Sequence, residues 1–209
     1  MNVVQESIVL TGFTIAITSI FLMSIGNNAF GIEYTNYTSE KYKIQFQYPS
    51  DWTVTEKTSR FESGEDISVN PPSLSKGSFK ILYGDEDLVT DYGSSDIQTA
   101  TYNLVESFIQ GTNEIRIIEK PSFTTIDSQK TGTFLITLEE KYEKFPIKIA
   151  TQEWLTFVGD RGYIIGYVAS TGSFDNQENT EIRDSFIKSI KFLNVEPTTS
   201  TTNSTSRFD

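Results

Sequence analysis

The chain has 209 residues, of which 37% are hydrophobic, 13% aromatic and 22% charged, the make-up of one folded domain with end segments rather than of a disordered polymer. Its net charge of −11 repels nucleic acid and anionic lipid headgroups and suits cationic partners or divalent metal ions. It has no cysteine and no histidine, so disulfides, thiol nucleophiles, Ser-His-Asp and Cys-His catalysis and His-zinc sites all lack their parts.

Residues Ile8 to Gly26 are uncharged and largely apolar, about the length that spans a bilayer as a helix. The preceding MNVVQES has no Lys or Arg and carries Glu6, unlike an ordinary signal peptide, while Ser24-Ile-Gly26 and Ala29-Phe-Gly31 offer small-x-small cleavage sites. Residues 1–31 are therefore read as a signal peptide or an N-terminal membrane anchor, and both readings place the domain at 32–196 outside the cytoplasm. Residues 32–41 read as a polar spacer, and Asn36-Tyr-Thr38 is a glycosylation sequon.

Tyr42, Ile44, Phe46 and Tyr48 recur at every second position with Lys43, Gln45 and Gln47 between them, the pattern of a strand with one face on a core. Pro49-Ser50-Asp51 should then turn the chain and bring Trp52 back over that strand. Thr53–Glu56, Ile67–Val69 and Ser78–Tyr83 read as three short strands of an antiparallel meander, broken by Asn70-Pro71-Pro72.

Ile97, Ala100, Leu104, Val105, Phe108 and Ile109 fall on one helical stripe, with Ser94 or Ser95 as the cap and Gly111 as the end. Ile115–Ile118 reads as a strand closed by Lys120-Pro121. Three longer strands follow, at Thr131–Glu140, Ile147–Val158 and Gly162–Ser170, the last two joined by the tight-turn sequence Gly159-Asp-Arg-Gly162. Ile182, Phe186 and Ile190 mark a closing helix, with Glu178 and Glu181 near its start and Lys188 and Lys191 near its end, as the helix dipole prefers. The fold class is α+β, an antiparallel sheet with helices packed on its faces. Residues 197–209 form a Ser/Thr-rich tail, read as disordered, with a second sequon at Asn203.

The stretch from Tyr42 to Trp52, aromatic-x-Ile-x-Phe-x-Tyr-Pro-Ser-x-Trp, resembles the opening of the PsbP family. Further matches fall around Trp154 and Tyr163 and in the helix Asp184–Ile190, so the resemblance spans roughly residues 38–193. It implies a PsbP-like α/β/α sandwich. The family's founding members are extrinsic subunits of the photosynthetic oxygen-evolving complex that help retain Ca²⁺ and Cl⁻. Other proteins of similar fold bind small GTPases or serve in envelope maintenance. Metal sites built on histidine do not carry over to this chain, which has none.

Several constellations are candidates for function. Tyr48, Trp52, Trp154 and Tyr163, with Tyr167 beside them, are read either as core packing or as an aromatic-lined groove for a ligand. Asp85, Asp87 and Asp91 are read as a solvated loop or a weak Ca²⁺ site. On the EF-hand template Asp85, Asp87, Asp91 and Asp96 fill positions 1, 3, 7 and 12, but Val89 and Thr90 occupy positions that need a ligand and a glycine. Ser73-x-x-Lys76 and Lys130-Thr-Gly132 match two signatures of penicillin-binding enzymes, while Ser95-Asp96-Ile97 fails the third. The expected function is a non-catalytic extracytoplasmic module that binds a protein or small ligand, with no catalytic residue and no cofactor beyond weak Ca²⁺. The alternative is a polysaccharide hydrolase with a carboxylate pair from Asp85, Asp87, Glu139 and Glu153.

Overall fold

The computed structural model describes residues 31–58, 65–73, 75–84, 95–111, 115–142 and 145–193. In chain order the elements are β1 (Tyr34–Ser39), β2 (Ile44–Pro49), β3 (Thr53–Thr58), β4 (Glu65–Asn70), β5 (Ser78–Gly84), α1 (Ile97–Gly111), β6 (Ile115–Ile126), β7 (Gln129–Tyr142), β8 (Phe145–Val158), β9 (Arg161–Ser170), α2 (Gln177–Ser189) and β10 (Lys191–Phe192). The residues preceding Gly31, the acidic run with Asp85, Asp87 and Asp91, and the tail with Asn203 lie outside the described residues. Among the described residues no helix is long and apolar enough to cross a membrane.

All pairings are antiparallel. A seven-stranded sheet runs β3-β4-β5-β9-β8-β7-β6, and a three-stranded sheet runs β1-β2-β10. This is the expected α+β fold, and side-chain alternation explains its layers. Ile67, Val69, Phe79, Ile81, Trp154, Tyr163, Ile165 and Tyr167 point to one face of the large sheet, where they meet Ile44 and Phe46 of β2 and Ile182 and Phe186 of α2 in the larger core. The opposite face sends Phe134, Ile136, Leu155 and Ile164 against Ala100, Leu104 and Val105 of α1.

The larger core is joined by aromatic rings. Phe186 stacks on Phe79 at 3.8 Å between centroids and lies 4.8 Å from Phe46, so one side chain of α2 holds the small sheet against the large one. Asn176 caps α2 by accepting a 2.7 Å hydrogen bond from the backbone N–H of Asn179. On the other face α1 comes down tightly on β7, because Gly132 has no side chain and Thr101 fills its place: a Cβ on Gly132 would fall 1.9 Å from Thr101 Oγ1. Thr101 is fully buried, and its hydroxyl donates to the Ile97 carbonyl at 2.5 Å.

Three expectations are corrected. The spacer at 32–41 contains β1, which pairs with β2 along its length while Tyr37 stacks on Phe46 at 4.7 Å. The cap of α1 is Asp96, whose Oδ2 accepts from the Thr99 N–H at 3.0 Å. The expected hairpin between β8 and β9 does form, turning on Gly159 and Asp160 with Gly159 at φ +65° as such a short loop requires. Most consequentially, β6 does not stop at Lys120-Pro121. It continues to Ile126, because it is the last strand of the sheet and shifts register between Ile117 and Glu119 and again between Glu119 and Ser122, an irregularity that accommodates a proline.

Candidate binding surface

The aromatic quartet belongs to the core. Trp52 is 4% exposed and lies 6.2 Å from the Phe79 ring. Trp154 is buried on the same sheet face, and Tyr163 is fully buried, its ring 4.8 Å from Phe192 and its hydroxyl donating to the Tyr42 carbonyl at 3.0 Å. Tyr48 is half-buried beside Phe46, and burial pushes its hydroxyl pKa upward. The small sheet and α2 cover the face on which a groove was expected, so these rings hold the layers together and present no open wall. Tyr167 is likewise fully buried, its ring over the loop at Gly77, and burial raises its hydroxyl to about 12.

The acids are also separated. Glu139 on β7 is paired with Lys148 at 3.3 Å on the face of the small sheet, whereas Glu153 on β8 points to the opposite face, as the register of β7 and β8 requires. One cleft cannot hold both carboxyls, and Asp85 and Asp87 lie outside the described residues. Glu153 is nonetheless unusual. Burial raises its carboxyl to about 8, with Lys80 on β5 pulling weakly the other way. Lys80 itself pairs with Asp66 on β4 at 3.2 Å.

Ser73 sits in a turn, not at a helix start, with its hydroxyl 2.9 Å from that of Ser75, and Lys76 pairs with Glu178 of α2 at 2.9 Å. Lys130, Thr131 and Gly132 lie on β7, where Gly132 is the seat for α1 described above. These residues account for packing and ion pairing. Asn36 is exposed on β1, accessible as a glycan acceptor.

The surface that stands out is a corner that the sequence pattern did not single out. Among the described residues the exposed large hydrophobics are Tyr102 and Ile109 of α1 and Ile117, Ile118 and Phe123 of β6. α1 packs on β6 and β7, and Ile117 and Phe123, opposite Ile136 and Gly132, stand on the face of β6 that α1 covers, while Ile118 follows at the first register shift of the same edge strand. Gln98 shares an open cleft of about 720 Å³ with Phe123, Ile97, Phe157, Asp96 and Lys130, between the start of α1 and the β6–β7 hairpin. Tyr102 and Ile109 follow Gln98 along the same flank of the helix at helical spacing, so an apolar strip continues from the cleft along the outer strand. At the cleft's head the capped Thr99 N–H holds the Asp96 carboxyl below its usual pKa range. A sheet's outermost strand lacks a neighbour on one side, and β6 exposes three large apolar side chains on its faces beside that open edge.

No family model matches the chain, and no curated protein does. Solved structures are similar to it. Cyanobacterial PsbP (CyanoP) of Synechocystis superposes with a TM-score of 0.55 over 82% of this chain and 97% of its own, at 12% identity. A protein of Bacteroides thetaiotaomicron gives a TM-score of 0.44 at 14% identity over 75% of this chain, which spans 47% of that longer one. LpqN of Mycobacterium tuberculosis, involved in cell envelope biogenesis, gives 0.41 at 11% identity over 77% of this chain and 91% of its own. The superposition on CyanoP makes the fold PsbP-like, and at such identity the likeness speaks for architecture alone.

Proposed function

We propose that this chain is a non-catalytic extracytoplasmic binding module, PsbP-like in fold, that docks a partner on the corner formed by α1 and β6. The observation that carries the reading is that Tyr102, Ile109, Ile117, Ile118 and Phe123, the exposed large hydrophobics among the described residues of a strongly acidic chain, all lie on α1 and the edge strand β6. The apolar stretch Ile8–Gly26 supports the extracytoplasmic placement. The absence of histidine and cysteine from the sequence supports recognition over bond-making.

The test is site-specific photocrosslinking in the native host. A benzoylphenylalanine placed at Ile118 should trap a discrete partner, one placed at the exposed Asp184 on α2 should not, and Phe123→Glu should abolish the Ile118 adduct. Equal trapping from both positions, or an adduct indifferent to Phe123→Glu, would refute the assignment.

A further inference from the structure

Resting on that reading of the corner, we infer that the partner supplies an extended segment that adds to β6 as an eighth strand of the large sheet, and that this segment alternates apolar with acidic residues. The backbone carries the first half of the argument. Asp127 and Ser128 form a two-residue hairpin loop, both in the left-handed region at φ 47° and 67°, which is the signature of a type I′ turn. In such a hairpin the flanking residues, Ile126 and Gln129, form a hydrogen-bonded pair, and alternation then assigns Thr124 and Ser122 to β7 as well. Phe123 and Thr125, the residues between, therefore turn their N–H and C=O groups outward, where no strand among the described residues receives them. They form a short ladder with an open side.

The other edges are poorer templates. β3 has six residues, TVTEKT, and its Glu56 already accepts the Tyr37 hydroxyl. β1 has six and exposes the sequon asparagine Asn36. β6 has twelve, and it alone among these edges exposes large apolar side chains beside its open backbone. Side-chain direction gives the partner's apolar positions: Phe123 shares the α1 face of the sheet with Ile117, so every second residue of an added strand would lie against that strip.

Charge gives the remaining positions. In a chain of net charge −11, Lys43, Lys76, Lys80, Lys148 and Lys191 are each matched to an acid. Among the described residues Arg116 and Lys120, both exposed on β6, have no ion-pair partner; Lys57, Lys130 and Lys188 also have none, but β6 alone places two such cations along one edge strand. They select an acidic segment. A second copy of this chain is a weaker occupant, because two bodies of that net charge repel, and because Pro121 and the two register shifts spoil a long self-pairing.

The experiment uses the full chain in detergent and a labelled, acetylated peptide of about eight residues alternating valine and glutamate, against the same peptide with lysine for glutamate. The glutamate peptide should bind at least about tenfold more tightly than the lysine one. Thr125→Pro removes an outward N–H and should weaken binding about tenfold, whereas Thr125→Ala should stay within about twofold. Should Thr125→Pro impair folding, hydrogen exchange on the wild-type chain decides: the peptide should slow the Phe123 and Thr125 amides and leave Thr124 unchanged.

Equal effects of the two Thr125 variants, equal binding of the two peptides, no binding at all, or protection elsewhere would each overturn the inference. So would a concentration-dependent dimer in sedimentation that Thr125→Pro abolishes, which would make the occupant a second copy. Retention of the Ile118 photoadduct in Thr125→Pro would remove strand addition and leave the docking corner standing; loss of corner specificity in that assay would remove both.

Discussion

Glu153 and Gly166 face each other across β8 and β9, and a methyl group on Gly166 would lie 2.9 Å from both carboxyl oxygens of Glu153. The glycine thus leaves the room in which a buried carboxyl rests, with Lys80 on the following strand as its nearest cationic influence. Such a group is best kept neutral, and that has a measurable consequence.

Because burial raises the Glu153 carboxyl from an ordinary 4.5 to about 8, the folded chain keeps a proton that the unfolded chain releases. Below the unfolded value both states carry it. As pH rises toward the folded value stability falls, and above that value the loss is complete, on the order of 5 kcal/mol at most from this group. Urea unfolding at acidic, neutral and alkaline pH should show the decline, and Glu153→Gln should flatten it and be the more stable chain at alkaline pH. A carboxyl carbon titrating in the ordinary glutamate range by NMR would contradict this.

Gly132→Ala should cost about 1–3 kcal/mol, since the new methyl would collide with Thr101 and push α1 off β7. Thr101→Ala removes the two outermost clashing atoms and should recover part of that loss in the double variant, a coupling a thermal-denaturation cycle would resolve.

Phe186→Ala should destabilise by about 3–5 kcal/mol, because the ring packs against both sheets at once. Phe186→Leu retains much of the volume and should lose less. Equal melting temperatures for wild type and Phe186→Ala would remove the wedge role assigned to this side chain.

Asp127 joins the β6–β7 turn to the end of the fold, its Oδ1 lying 2.8 Å from Lys191 Nζ and its Oδ2 accepting from the Phe192 N–H at 2.8 Å. The ion pair is partly exposed and adds little, so the backbone bond dominates. Asp127→Ala should cost about 1–2 kcal/mol, while Asp127→Asn, which tolerates the left-handed backbone and keeps an acceptor, should cost less. Hydrogen exchange at the Phe192 amide would separate the two variants.

Much of the fold was legible because burial on one face leaves an alternating trace. Ile44 and Phe46 are fully buried, as their spacing predicts, and α2 buries Ile182 and Phe186. β1 left no comparable trace, since its polar residues pair through the backbone. Pro121 was misread as a stop because the proline rule holds for central strands, and position in the sheet is not written in the local sequence. The same ignorance concealed the candidate surface: Ile117 and Ile118 look like core residues until β6 is known to be outermost. Conversely Trp154 and Tyr163 suggested a groove because nothing local says that a second sheet will cover them.

The small sheet sets one more condition. Its central strand β2, formed near the start of the domain, pairs with β10 at the close, and its Gln47 N–H donates to the Ser189 hydroxyl oxygen at 2.8 Å, across 142 residues of sequence. Contacts so distant along the chain close slowly and only after the intervening polypeptide is available. A ribosome releasing this chain, or a pore threading it, would hand over the opening strand long before its mate, so completion of the structure must wait for the final helix, and a holding factor would have most to protect in that interval.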